Sequence, residues 1–227
     1  MKRSEINQIL LYAKKLFSKY SFRLPKFSEW SPSEFKRNAA DYPEIDDCQL
    51  GWDVTDLGMG DFSKYGLTLF TIRNGVLNHP LYTKPYAEKI MVSRVEQITP
   101  LHYHVHKSED IINRGGGRLV FEFYRRSNEN PLELDRENDV LVPGDGKIHR
   151  LKAGEHIAIE PGESMTLMPG TFHSFWAEGE DVVIGEVSAV NDDHSDNIFH
   201  EKQRRFPEIE EDELPLHLLV SDYVNWK

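Results

Sequence analysis

Apolar residues in the first forty positions recur at helical spacing. In residues 4–19 they return every three or four positions and form one stripe of a helix: Ile6, Ile9, Leu10, Ala13, Leu16 and Phe17. Ser4 is available as the N-cap of this helix. A second short helix is predicted after Ser31, which can cap it, with Pro32 at the first helical position and Glu34 completing a capping box.

From about Gly66 onward the pattern changes to short runs of β-type residues. Gly, Pro, Asn and Asp separate these runs, which read LTLFTI, KIMVSRV, HYHVH, RLVFEFY, HIAIE, MTLMP and DVVIGEVSAV. Such spacing is typical of an antiparallel β-sandwich or barrel. We therefore expect a mainly β protein with an N-terminal helical extension, residues 1–60, packed on a β domain, residues 61–227. The apolar ending of the chain, LPLHLLVSDYVNW, is expected to pack on the β body or on a neighbouring subunit.

Composition narrows the class of partner. The 227 residues are 39% hydrophobic, which is enough for a sizeable core. The formal net charge of −11 disfavours nucleic acid and favours a small neutral ligand.

No apolar run reaches the roughly 18 residues of a membrane span, and the charged N-terminal stretch predicts an amphipathic helix instead of a signal peptide. Cys48 is the only cysteine, which excludes an intramolecular disulfide and fits a cytoplasmic protein.

Three histidines alternate in the stretch HYHVHKSED, residues 102–110. On a strand, alternate side chains share one face, so His102 and His104 can hold one metal ion. His106 lies near the strand end and is expected to be a neighbour of the site. Glu109 can fold back to supply a carboxylate oxygen. The alternative is that these are surface or core histidines with ordinary hydrogen bonds.

A fourth candidate ligand, His173, ends the segment EPGESMTLMPGTFH, in which two Pro-Gly turns flank an apolar run. In a curled sheet His173 can meet His102 and His104 across the interior. Three imidazoles and a carboxylate suit Mn, Fe, Ni or Zn better than Cu(I) or an Fe–S cluster. On an octahedral ion, four protein ligands leave two positions open for substrate.

HYHVHKSE followed by PGTFH resembles the two motifs of the cupin superfamily, which are HxH, four residues, Glu, and then P-G-x-x-H. The resemblance implies a cupin-type antiparallel β-barrel, or jelly roll. It assigns His102, His104, Glu109 and His173 as metal ligands. The run EQITPLHYH lacks the Gly usual before HxH, and the second motif lacks its downstream Asn. These departures affect turn geometry more than the ligands. The superfamily implies a fold but no particular reaction.

Further segments resemble one cupin family, the D-lyxose ketol-isomerases: KSEDIINRGGGRLVF, GEVSAVNDDHSDNIF and RRFPEIEEDE. The similarity runs from about residue 99 to 213. It implies a metal-dependent aldose–ketose isomerase that interconverts D-lyxose and D-xylulose through a cis-enediol; D-mannose and D-fructose, which share the relevant C2 stereochemistry, are expected as additional substrates. It also implies Mn²⁺, although the ligand types alone would equally admit Co²⁺, Fe²⁺ or Zn²⁺.

Three residues are candidates for proton transfer. Lys107 lies beside the ligand strand and could stabilise an oxyanion or move a proton between oxygens. Glu186 would lie near the metal if it points inward from its strand. The family resemblance raises Glu211, in the acidic run, as a base that closes over the site. The alternatives are a solvated lysine, an outward strand residue and a solvated acidic face.

Asp193 and Arg205 are candidates for binding sugar hydroxyls, and Trp176 is a candidate wall of the sugar pocket. Turn formation, pairing with nearby acids and core packing are the respective alternatives. The glycines of NRGGGR predict a tight hairpin and not a phosphate loop, because no helix with a Lys and Ser/Thr follows them.

Two other functions share the same ligand set. A cupin oxygenase would hold Fe²⁺ or Ni²⁺ there, and a non-catalytic cupin would bind sugar without turnover. A homodimer is expected, because the apolar C-terminal segment and the N-terminal helices offer surface to a partner, and β-barrels commonly bury an edge in this way.

Overall fold

The computed structural model describes residues 1–192, 195–204 and 206–226. Three α-helices come first, and short 3₁₀ turns lie between and after them: α1 Arg3–Lys19, α2 Pro32–Asn38 and α3 Pro43–Asp47, with 3₁₀ turns at Lys26–Glu29, Ala39–Asp41 and Val220–Asn225. The strands follow in chain order: β1 Gly51–Thr55, β2 Leu67–Arg73, β3 Tyr86–Ser93, β4 Thr99–His104, β5 Glu109–Gly115, β6 Arg118–Arg126, β7 Leu134–Asp135, β8 Val140–Gly144, β9 Lys147–Leu151, β10 His156–Ile159, β11 Ser164–Leu167, β12 Thr171–Glu178, β13 Val182–Ala189 and β14 Asn197–Phe199. Each predicted β run contains a strand.

The helix starts follow local capping chemistry, with one difference from expectation. At α2 the Ser31 hydroxyl accepts a hydrogen bond from the Glu34 backbone N–H, and the Glu34 carboxylate accepts one from the Ser31 N–H, as the capping box predicts. At α1 the N-cap is Lys2 and not Ser4. The Ser4 hydroxyl instead donates to the Asp212 carboxylate at 2.7 Å, so the helix start is tied to the C-terminal segment.

The strands form two curled antiparallel sheets and one separate hairpin. The first sheet has the order β1-β2-β3-β13-β5-β11, and the second has the order β10-β6-β12-β4-β14, with β7 paired to β6. The hairpin is β8–β9. The main apolar core includes Leu69, Met91 and Ile184 from the first sheet and Phe121 and Phe175 from the second. The predicted cupin-type barrel is confirmed.

Helix α1 covers the outer face of the first sheet. Ile6 and Leu10 of α1 belong to one buried cluster with Phe70, Ile90 and Val183 of β2, β3 and β13. Because strand side chains alternate between faces, the neighbours of these residues point into the barrel. Helix packing on one face therefore decides which residues reach the interior.

The change from helices to sheet falls between Asp47 and Gly51. Strand β1 lies within residues 1–60, the range expected to be the helical extension, and it pairs with β2 along its whole length. The glycines of NRGGGR do not form the predicted hairpin, because β5 and β6 belong to different sheets. Gly116, with φ +114°, turns the chain from one sheet to the other, and a Cβ there would lie 2.0 Å from the Asp181 carbonyl oxygen.

The C-terminal segment packs on its own chain, one of the two expected outcomes. Leu218, Val220 and Tyr223 are buried in a cluster with Phe35 and Ile45 of the helical part. These apolar residues of the ending are therefore buried within the subunit. None of the helices in the described ranges is long and apolar enough to cross a membrane.

Candidate active site

Two neighbouring strands of the second sheet carry the histidines. In β4, His102 and His104 point to the interior, while Tyr103 between them is buried in a cluster on the other face with Phe172. Strand β12 pairs with β4 so that His173 lies directly opposite His102. Strand alternation and this register together bring the three rings to one point inside the barrel.

The three histidines and Glu109 form one buried cluster. The candidate ligand nitrogens of the histidines all lie within 4.8 Å of one another, and the Nε2 atoms of His102 and His173 are 3.1 Å apart. Glu109 reaches them from β5 of the facing sheet. Its Oε1 lies 3.0 Å from His104 Nε2 and 3.6 Å from His173 Nε2. We refer to these four residues as the ligand cluster.

The hydrogen bonds of His102 and His173 leave the Nε2 lone pair of each ring available to a metal cation. His102 Nδ1 lies 2.8 Å from the Pro100 carbonyl oxygen, and His173 Nδ1 lies 3.0 Å from the Thr171 carbonyl oxygen. A carbonyl oxygen only accepts, so each Nδ1 carries a proton and each neutral ring presents an Nε2 lone pair. Burial lowers the pKa of His102 well below its ordinary value and that of His173 to about 4, so both rings are neutral near pH 7. Two lone pairs that face each other repel, and a cation between them removes the conflict.

The carboxylate of the cluster is ionised despite its burial. Burial opposes ionisation of Glu109, but His104 and the Lys107 ammonium outweigh it and keep the pKa of Glu109 well below its ordinary value. Lys107 Nζ lies 2.6 Å from Glu109 Oε2. The cluster therefore offers three imidazole nitrogens and one anionic oxygen, which is a donor set for a divalent first-row metal.

A buried network of charges adjoins the cluster. Lys107 Nζ lies 3.2 Å from Glu186 Oε1, and Lys89 Nζ lies 3.0 Å from the same oxygen. Asn191 Oδ1 accepts from Lys89 at 2.7 Å and from Lys107 at 3.3 Å. The exposed fraction of Lys89, Lys107 and Glu186 is 3–4% for each. Glu186 points inward because Val183, on the opposite face of β13, packs in the cluster with α1.

Lys89 and Asn191 are site residues that the sequence reasoning missed. Lys89 begins the run KIMVSRV, where Ile90 and Val92 belong to the helix-covered face. Because side chains alternate along a strand, Lys89 lies on the face opposite Ile90 and Val92, which is the face toward the barrel interior. This alternation is the signal that could have identified Lys89 as a site residue. Asn191 follows β13 in a turn-rich loop and carried no such signal.

Asp196 holds the turn between β4 and β5. Its two carboxylate oxygens accept the backbone N–H groups of His106 at 2.7 Å and of Lys107 at 3.1 Å. Asp196 is 5% exposed. The turn that carries Lys107 is thus fixed by a buried carboxylate from the far end of the chain.

Several predicted site residues lie elsewhere. Trp176 lies on the opposite face of β12 from His173, where its ring contacts His156 at 5.0 Å between centroids. Glu211 pairs with Arg3 at 2.6 Å, away from the ligand cluster. His106 is exposed beyond the end of β4, as expected for a neighbour of the site.

Asp193 and Arg205, the remaining candidates for binding sugar hydroxyls, lie outside the described residues. The structure therefore does not test either role.

A curled antiparallel barrel with three histidines and a glutamate at its centre defines a cupin-type protein. L-ribose isomerase structures share this fold. That of Cellulomonas parahominis aligns with a TM-score of 0.56 at 12% identity, and that of Geodermatophilus obscurus with 0.56 at 16%, each over 92% of this chain and 98% of the other. At such identities the likeness concerns the fold alone.

Sequence comparison identifies the family. Residues 1–223 match the family model described as D-lyxose isomerase. Two curated relatives named D-lyxose/D-mannose isomerase are similar over almost their whole length. The one from Escherichia coli O157:H7 is 45% identical over 98% of both chains, and the one from Serratia proteamaculans is 44% identical over 100% of this chain and 99% of the relative. The chain belongs to the D-lyxose isomerase family. The predicted family and enzyme class, a sugar isomerase, are confirmed.

Proposed function

We propose that the protein interconverts D-lyxose with D-xylulose and D-mannose with D-fructose. The observation that carries this proposal is the ligand cluster lying against the buried Lys107–Glu186 pair, which joins a candidate metal site to groups that can move protons. The names of the relatives from Escherichia coli O157:H7 and Serratia proteamaculans support both aldoses as substrates.

The cofactor we propose is Mn²⁺, which the family resemblance implies. His102, His104, His173 and Glu109 would hold it, and the same ligands also suit Co²⁺, Fe²⁺ or Zn²⁺. A divalent ion, when bound, supplies positive charge that acidifies the C–H bond beside the sugar carbonyl and stabilises negative charge on oxygen. The remaining chemistry belongs to the side chains of the protein.

Glu186 is the proposed general base that moves a proton between the two carbon atoms. In the aldose-to-ketose direction its carboxylate takes the proton from C2 and returns it to C1, by way of a cis-enediol. Glu186 is 4% exposed, so the abstracted proton is protected from exchange with bulk water. Lys89 and Lys107 hold the carboxylate in one orientation from two sides.

Lys107 is the proposed group that moves a proton between the two oxygen atoms. Its ammonium gives a proton to O1 and takes one back from O2, which balances the transfer between the two carbons. It lies between Glu109 and Glu186 and is 3% exposed. Its charge also favours the oxyanion that develops when the C–H bond breaks.

We further propose a cytoplasmic homodimer. The single cysteine, Cys48, is buried and forms no disulfide, which fits a reducing compartment. Because the C-terminal segment packs within the subunit, support for a dimer comes from other surfaces. On the β8–β9 hairpin, Leu141 and Ile148 are 52% and 66% exposed on one face. Light scattering on the purified protein should give about twice the mass of one chain.

The function is tested on metal-stripped protein incubated with D-lyxose and with D-mannose, with and without Mn²⁺. We expect Mn²⁺ to restore formation of D-xylulose and D-fructose and to raise the melting temperature, since a ligand at about 100 times its Kd stabilises by about 2.7 kcal/mol. His104→Ala should abolish both effects. His106→Ala, which changes an exposed histidine two residues away, should preserve both.

Protein with one Mn²⁺ per chain that converts neither aldose would contradict the proposed substrates. Consumption of oxygen with an organic substrate would then favour the oxygenase. Sugar binding without turnover would favour the non-catalytic module.

A further inference from the structure

A second cavity lies beside the ligand cluster. The space immediately around the cluster has a volume of about 60 Å³, whereas the neighbouring cavity has about 330 Å³. Sites for small molecules usually measure about 300–1,000 Å³. The space at the cluster therefore fits the reacting end of a sugar, and the rest of the molecule needs the larger cavity.

The two cavities share a wall. Leu69 lines both of them. Asn191 lines the larger cavity, and its Oδ1 accepts hydrogen bonds from Lys89 and Lys107, which line the space at the cluster. A ligand that extends past Leu69 and Asn191 would thus occupy both spaces.

Strand register aligns the larger cavity with the proposed base. Thr71 of β2 lies directly opposite Lys89 of β3, which lies directly opposite Glu186 of β13. All three side chains face the interior and line one or other cavity. Neighbouring strands are about 4.8 Å apart, so Thr71 lies about 10 Å from Glu186 across the sheet. A sugar with C1 and C2 at Glu186 would point its far end toward Thr71.

The lining suits a chain of hydroxyl groups. Thr71 and Asp53 are 5% and 2% exposed and belong to the inward face of β2 and β1. Together with the Asn191 amide they present donors and acceptors for hydroxyls. Leu69 and Leu77 present apolar surface to the C–H groups of the same ligand. A few polar groups on an apolar wall are the usual composition of a small-molecule site.

We propose that this cavity binds the end of the sugar remote from the reacting carbons, and that Thr71 takes part in the choice between five-carbon and six-carbon aldoses. This inference rests on the proposed function. D-Mannose is longer than D-lyxose by one hydroxyl-bearing carbon, so its last carbon lies deepest in the cavity. Loss of space at Thr71 therefore affects the hexose more than the pentose.

The test compares kcat/KM for D-mannose and D-lyxose in Thr71→Leu and in Thr68→Leu. Thr68 is the matched control, since it is a buried threonine of the same strand on the face toward α1. We expect Thr71→Leu to lower the D-mannose to D-lyxose ratio about tenfold, the effect typical of a misfitted carbon in a pocket. Thr68→Leu should leave the ratio unchanged, and bound metal per chain should be the same in both variants.

A second pair of variants avoids buried positions. Leu77, at the rim of the cavity, is 60% exposed, and Leu81, which is not part of the lining, is 76% exposed. Leu77→Trp should lower the same ratio, and Leu81→Trp should not. This pair decides the matter if Thr71→Leu does not fold.

The outcomes separate the two proposals. A wild-type protein that isomerises both aldoses, with an unchanged ratio in Thr71→Leu and Leu77→Trp, would overturn the cavity assignment and leave the proposed function standing. A wild-type protein that isomerises neither aldose would overturn both.

Discussion

Glu186 shows how a single residue acquires a role through its neighbours. As an isolated glutamate in a β run it has no preferred face. Inside the barrel it meets two lysines, Lys89 and Lys107, within 3.2 Å. Two cations around one buried carboxylate compensate the cost of burying it, and they also orient it. Burial alone would have made such a residue unfavourable at this position.

Replacing Glu186 by Gln should lower kcat for D-lyxose about 100- to 10,000-fold while KM changes little, because a general base acts mainly in the transition state. Steady-state kinetics on metal-loaded protein measure this. Glu88→Gln is the matched control, since Glu88 lies beside Val187 on the adjacent strand and pairs outward with Arg73. A Glu186→Gln variant with normal kcat would exclude Glu186 as the base.

At the scale of secondary-structure elements, the turn between β4 and β5 positions several residues of the site. β4 ends at His104 and β5 begins at Glu109, so a four-residue turn positions two ligands and Lys107 between them. Asp196 accepts two backbone N–H groups of this turn. The motif spacing is therefore maintained by a residue almost ninety positions later in the chain.

Asp196→Ala should lower kcat/KM about 10- to 100-fold, the usual cost of losing a group that orients site residues. Metal content measured per chain should fall with it, because the same turn carries Glu109. Asp196→Asn keeps one acceptor and should recover part of both. Ser195→Ala, at the exposed neighbouring position, should change neither. Full activity and metal binding in Asp196→Ala would show that the turn holds without this carboxylate.

At the scale of the whole molecule, ion pairs join the N-terminal helix to the C-terminal segment. Arg3, at the start of α1, is 1% exposed and pairs with Asp222 at 2.9 Å and with Glu211 at 2.6 Å. The hydrogen bond from Arg3 lowers the pKa of Glu211, which makes this carboxylate a weaker base. Helix α1 and the C-terminal segment are thereby fixed together over the first sheet, and Glu211 is used in that contact.

Arg3→Met should destabilise the protein by about 3 kcal/mol, because Asp222 would remain buried without its partner. In a domain of this size the melting temperature should fall by about 6–12 °C. Arg23→Met, at an exposed position, should have no comparable effect. Glu211→Ala should keep kcat within about twofold of wild type, because Glu211 pairs with Arg3 away from the ligand cluster. A large loss of kcat in Glu211→Ala would restore it as the candidate base.

Local periodicity was sufficient for much of the site. Alternation on a strand aims His102 and His104 to one side, and the P-G-x-x-H spacing places His173 in the strand that follows a turn. The strands themselves follow from runs of β-branched and apolar residues, and α2 follows from its capping box. These features depend on residues a few positions apart, so they can be read along the chain.

The remaining assignments depended on contacts between distant segments. Whether Glu186 faces inward is decided by α1, which packs with Val183 on the opposite face of β13. Trp176 faces away from His173 because β12 contributes only one of its faces to the interior, and Lys89 and Asn191 join the site through strand pairing and a loop. The sequence by itself determined the ligand motifs and the β-rich fold, since both are periodic and local. Only the tertiary structure decided which charged groups surround the ligands, because burial and charge pairing there are set by segments as far as 102 residues apart.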